Sequence, residues 1–140
     1  MSMVDDVVLN KIAIIERCLK RIGEEYEGRE SELISNLTRQ DAIILNLLRA
    51  CEAAIDLAMH MVRIRRLGLP QESREAFRML QDSGLVDSET AVRMQAMVGF
   101  RNIAVHNYQK LDLDIVRAIL SSRLDDFRRF AAAALKSSSG

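Results

Sequence analysis

Proline occurs once, as Pro70, and glycine six times in 140 residues, so the chain has few of the residues that end regular elements and force turns. No stretch alternates apolar and polar residues as a strand would, and no segment repeats. Cysteine is scarce: Cys18 and Cys51 both sit in apolar helical pattern, and neither has a partner at metal-ligand spacing, so they read as core thiols of a reducing compartment. Charge of one sign is also missing. With 20 basic and 20 acidic residues the formal net charge is zero, which excludes an overall field pulling the protein onto nucleic acid and makes any polyanion site a local patch. No apolar run reaches the roughly 18 residues a membrane span requires. The opening MSMVDDVVLNK lacks the basic and apolar regions of a secretion signal, so a cytoplasmic location without membrane contact is expected.

What is present is apolar and charged in helical proportion. Hydrophobic residues make up 49% and charged ones 29%, the profile of a soluble helical protein, and the length suits one domain that buries its core without disulfides or metals. Residues 1–136 are read as that domain and 137–140 as a polar tail. Val4, Val7, Val8, Ile12, Ile15, Leu19 and Ile22 recur at spacings of three and four and predict a first helix over residues 4–27. After the polar stretch GRESELISN, a second helix spans about Arg39 to Arg66, stopped by Gly68 and Pro70. It carries two adjacent apolar stripes, one through Ile43, Leu47 and Ala54, the other through Ile44, Cys51 and Ile55. A shorter helix covers about Glu72 to Gln81. A fourth begins at an Asp87 or Ser88 cap and runs to about Tyr108, and a fifth follows an Asp112 cap through Ile115, Ile119, Leu124, Phe127 and Phe130. The expected fold is an all-α up-and-down bundle of about five helices. Apolar residues face several directions on the second and fourth helices, more than one small bundle needs, which points to a further partner surface such as a homodimer interface.

Between its apolar stripes the second helix carries Asn46, Arg49, Glu52, Asp56, His60 and Arg63 in one polar line. The plain reading is a solvated face with local pairs such as Asp56 with His60 or Glu52 with Arg49. The chemistry-bearing stretch is RNIAVHNY, residues 101–108, at the end of the fourth helix. Asn102 and His106 are four apart and share a face, whereas Arg101 and His106 are five apart and lie about 140° from each other around an ideal helix. The length of the arginine, a distortion where the helix ends near Asn107, or a second copy of the motif from a dimer mate would each reconcile them. Histidine can move a proton near neutral pH, and arginine offers a fixed fork of donors for phosphate. On spacing alone, ordinary roles in ion pairing and helix capping explain these residues better, because so short a motif occurs by chance.

RNIAVHNY resembles the R-x4-6-H signature of the HEPN superfamily, and its extended form, with Asn after the Arg and a Tyr two residues after the His, is similar to the motif of the HepT toxins. The segment RACEAAIDLA, with Arg49, Glu52 and Asp56, resembles the polar-in-apolar helix of those proteins, and chain length and helix order agree. The resemblance implies a HEPN-like homodimer whose two motifs face each other across a cleft and act as a metal-independent endoribonuclease toxin that needs no cofactor. His106 would then be the general base or acid, Arg101 the stabiliser of phosphate charge, Asn102 a supporting residue, and Arg49, Glu52 and Asp56 the surrounding polar shell. It further implies a cognate minimal nucleotidyltransferase antitoxin that transfers AMP onto Tyr108 as an off switch. Arg63, Arg65, Arg66, Arg74 and Arg78 are candidates for guiding RNA or docking that antitoxin. The alternative from another class is a non-catalytic helical module that binds a nucleotide or nucleotidyltransferase partner, with Arg101 and His106 as phosphate ligands.

Overall fold

The computed structural model describes residues 5–138, and Val4, read above as part of the first stripe, lies outside them. The elements in order are α1 (Asp6–Tyr26), α2 (Glu32–Ser35), α3 (Leu37–Ile64), α4 (Ser73–Asp82), α5 (Ser88–His106), a 3₁₀ turn (Tyr108–Lys110), α6 (Leu113–Ser122) and α7 (Leu124–Ser138). No strand occurs among the described residues. Nor is any helix among them long and apolar enough to cross a membrane.

The helix starts follow from side-chain capping. Asp5, Asn36, Asp87 and Asp112 each accept a backbone N–H of the first turn, at 2.7, 3.0, 2.7 and 2.8 Å, satisfying donors that the helix itself leaves unpaired. The ends of α3 and α4 share one device. After α4, Gly84 adopts φ 81°, Leu85 N–H donates to the Leu80 carbonyl and Gly84 N–H to that of Gln81. After α3, the same pair of bonds runs from Leu67 to Val62 and from Arg66 to Arg63, but the left-handed position, φ 54°, is held by Arg66.

α3 is the central post. α1 packs along it most extensively, and α2, α4, α5 and α7 cover the rest, so both of its apolar stripes are buried within one protomer, with Leu48 only partly covered. Most of its breadth of apolar surface is therefore used by neighbours on several sides within the protomer, with Leu37, Leu45 and Ile64 left exposed. On α5, Val92, Ile103 and Val105 stay exposed as well. Phe77 of α4 and Phe130 of α7 meet edge to face, with ring centroids 5.2 Å apart, in the fully buried centre. Cys18 and Cys51 are buried thiols, and burial pushes the Cys51 thiol up to about 12, which leaves it inert.

Two departures from the five-helix reading have clear causes. GRESELISN contains α2, a single turn anchored by the fully buried Leu33, too short to show a period. The fifth helix is two, α6 and α7, separated at Arg123. The buried positions Val116, Ile119 and Leu120 continue in phase into Phe127, Phe130 and Ala131, so periodicity does not register the break. α7 runs through Ser138, two residues into the stretch read as a tail, and the Arg65 guanidinium donates to the Ser137 carbonyl.

A non-glycine residue in the left-handed region is strained by about 1–2 kcal/mol, partly offset by the greater unfolded-state freedom of glycine. Replacing Arg66 by glycine is therefore expected to stabilise the protein by about 0.5–1 kcal/mol. The measurement is a urea unfolding midpoint that rises at unchanged slope.

Candidate active site

α5 continues unbroken through His106, so the helix does not distort between Arg101 and His106; the change of course comes one residue later, at Asn107 (φ −153°, ψ 60°). On a regular helix the two side chains are then separated by about 140° around the axis and about 7.5 Å along it. Within one protomer α5 does not turn them toward a common point.

Their surroundings differ as well. Arg101 is held between helices, its side chain 20% exposed. Its Nη2 donates to the Ser73 hydroxyl at 3.1 Å from the start of α4, and its Nε lies 3.4 Å from Glu52 Oε1 on α3. The Glu52 contact is an ion pair without hydrogen-bond alignment, and Nε is a buried donor with no acceptor in line. The guanidinium is thus positioned from two sides while keeping donor capacity. His106, the last residue of α5, is exposed, and among the described residues none makes a hydrogen bond or ion pair with its side chain. Asn102 is half-buried one turn before His106 on the same face.

Of the polar shell expected on α3, only Glu52 reaches Arg101. Arg49, Glu52 and Asp56 line a cleft of about 830 Å³ between α1 and α3, closed at one side by Val105 of α5. The pairs read from the sequence are not those formed. Asp56 pairs with Lys11 at 3.2 Å, and Glu52 takes Arg101 in place of Arg49. His60 is buried rather than on a solvated face. Its Nε2 is 2.6 Å from Asp5 and its Nδ1 3.1 Å from Arg63 Nη2, and because arginine can only donate, the ring is assigned as the Nε2–H tautomer. This triad ties the start of α1 to the end of α3 and holds the Asp5 carboxyl below its ordinary range, chiefly through the His60 hydrogen bond.

Arg74 crosses α5 directly over Gly99, where an added Cβ would stand 2.6 Å from its Nη2, so the missing side chain is what admits the guanidinium. It donates to the Gln95 carbonyl, and Arg78 to the Gln95 side chain, so two of the candidate basic residues border α5 upstream of Arg101. Arg63 and Arg65 are engaged elsewhere, with His60 and with Ser137.

Tyr108 opens the 3₁₀ turn and is 41% exposed. Its hydroxyl donates to Asp41 Oδ1 at 2.6 Å, and burial together with that carboxylate pushes the phenol up to about 12. Ser73 and Asp41 are the contributors that sequence reading missed. They lie 28 and 67 positions from their partners, and no local spacing marks such a pair. Beside the motif, α5 and α6 enclose an apolar groove of about 550 Å³ lined by Val92, Phe100, Ile103, Leu111 and Ile115.

An all-helical domain that presents an Arg-x4-His pair on one helix, with a tethered tyrosine just beyond, is of the HEPN toxin type. The match extends over nearly the whole chain. The family model "Ribonuclease HepT-like" covers residues 15–134, and the chain belongs to that family. It is 47% identical over 126 residues to the mRNA nuclease HepT of Shewanella oneidensis, covering 90% of this chain and 94% of that protein. Among solved structures, a tri-AMPylated HEPN toxin of Shewanella oneidensis in complex with MNT antitoxin superposes with a TM-score of 0.87 at 46% identity, over 92% of this chain and 96% of that one. A toxin-antitoxin structure with AMP-PNP gives a TM-score of 0.88 at 45% identity, over 93% and 98% of the two chains.

The Tyr108–Asp41 bond is the one side-chain hydrogen bond recorded from the 3₁₀ turn to the bundle among the described residues. Tyr108→Phe is expected to speed amide hydrogen exchange at Lys110 and Leu111 about two- to tenfold, the range corresponding to a typical net hydrogen bond of about 0.5–1.5 kcal/mol, while α3 keeps its protection.

Proposed function

We propose that this protein is a metal-independent endoribonuclease toxin that acts in the cytoplasm as a homodimer and is silenced by AMP transfer onto Tyr108 from a cognate minimal nucleotidyltransferase antitoxin. The observation that carries the reading is the contrast along α5: Arg101 is fixed by Glu52 and Ser73, whereas His106 is exposed and unengaged at the helix end. A fixed cation suits charge that develops on a phosphate, and a solvent-facing imidazole suits proton transfer. Because one protomer aims the two groups apart, a cleft that combines both copies of the motif supplies what each lacks. The exposed apolar residues Val92, Ile103 and Ile115 beside the motif support such an interface.

In that cleft His106 acts as the base on a ribose 2′-hydroxyl or as the acid on the leaving oxygen. Arg101 stabilises the phosphate as its charge grows, and Asn102 orients His106 or the phosphate. Glu52 and Ser73 serve by holding Arg101. Arg74, across Gly99, extends positive charge along α5 for the RNA backbone. AMP on Tyr108 adds a base and an anionic phosphodiester next to the motif, which excludes RNA by volume and by repulsion. The named relatives, an mRNA nuclease and a tri-AMPylated toxin bound to its antitoxin, support both halves of the reading.

The test is expression without the antitoxin, followed by RNA cleavage by the purified protein in the presence of chelator. Wild type is expected to arrest growth and to cut RNA with metal removed, and His106→Ala to cut about 10²-fold or more slowly. Equal cleavage by the two proteins, or loss of wild-type cleavage on chelation, would sink the assignment.

A further inference from the structure

Accepting AMP requires Tyr108 to lose its phenolic proton, and the surroundings of the ring oppose spontaneous loss. Burial and the neighbouring carboxylate both favour the neutral phenol, which ionises only near 12, so phenolate is scarce at neutral pH. A nucleophile of this kind needs a base that takes the proton while the new bond forms, placed about 2.6–3.2 Å from the oxygen. One charged group stands there. Asp41 Oδ1 is 2.6 Å from the Tyr108 hydroxyl and comes from the second turn of α3, the longest helix in the protein. Both residues are exposed, so an incoming enzyme and its nucleotide can reach them together.

Resting on the reading of Tyr108 as the AMP acceptor, we infer that Asp41 is the general base of its own protein's modification. The toxin thus contributes a catalytic group to the reaction that silences it. In the step, the phenolic oxygen of Tyr108 forms a bond to the α-phosphorus of ATP carried by the nucleotidyltransferase. The bond from that phosphorus to the bridging oxygen of the β-phosphate breaks, and pyrophosphate leaves with the electron pair. The proton passes from the tyrosine oxygen to Asp41 Oδ1 and then to water. An aspartate that accepts the proton of an attacking hydroxyl is a known solution in phosphoryl transfer. The same contact has a second consequence. Once modified, Tyr108 has no hydroxyl proton to donate and carries an anionic phosphodiester facing Asp41, so the tether to α3 is lost and like charges drive the adduct away from it.

The experiment uses the full-length toxin, its cognate antitoxin and magnesium ATP, with AMP incorporation followed by intact mass over a range of toxin concentrations. Wild type, Asp41→Asn, Asp41→Glu and Tyr108→Phe are compared after far-ultraviolet circular dichroism shows native helix content. Asp41→Asn is expected to lower kcat for the first AMP by about 10²-fold or more with KM little changed, and Asp41→Glu to restore part of it. Modification of Asp41→Asn at the wild-type rate, or an effect confined to KM, would overturn the role of Asp41 and leave Tyr108 as the acceptor. A wild-type protein that takes up no AMP, or a Tyr108→Phe variant modified as well as wild type, would instead overturn the acceptor reading and this inference with it.

Discussion

The rest of the structure depends on the enclosure of α3. A 28-residue helix covered by α1, α2, α4, α5 and α7 has little freedom to shift, because nearly all the apolar side chains of its two stripes are buried among neighbours. Polar residues that break its apolar surface emerge at the few gaps between covering helices, and the gap decides what each one does. Asp41, near the start, meets the turn after α5; Glu52, midway, meets Arg101; His60, near the end, is roofed by Asp5 and becomes an internal tie.

This arrangement divides the motif into a fixed part and a free part. Arg101 is oriented by groups on α3 and α4, so its charge is placed before any substrate arrives, the condition under which electrostatic stabilisation costs least reorganisation. His106, at the last position of α5, has no such support within the protomer. A second chain and the substrate complete its environment in the proposed dimer. The apolar groove between α5 and α6 lies beside the motif, so the surface that would join protomers and the surface that would cut RNA are neighbours.

The regulation proposed for Tyr108 draws on the same frame. A short 3₁₀ turn held by one strong side-chain hydrogen bond keeps the phenol protonated and presented. A single covalent change then removes the donor, adds negative charge and occupies space where an anionic backbone would lie.

Much of this was legible in the sequence. Residue types at spacings of three and four determined the long helices, the Asp87 or Ser88 cap and the Asp112 cap marked two of the starts, and the eight residues RNIAVHNY marked the candidate site, because these signals are local and helices are local structures. Only the tertiary structure decided the partners: that Glu52 meets Arg101 rather than Arg49, that His60 joins Asp5 rather than Asp56, and that Ser73 and Asp41 contact Arg101 and Tyr108 at all. The break at Arg123 was equally hidden, since the apolar phase runs through it unchanged. The physical reason is common to all of them. Helical periodicity states which face a side chain occupies, but which distant residue waits across from that face depends on how whole helices pack.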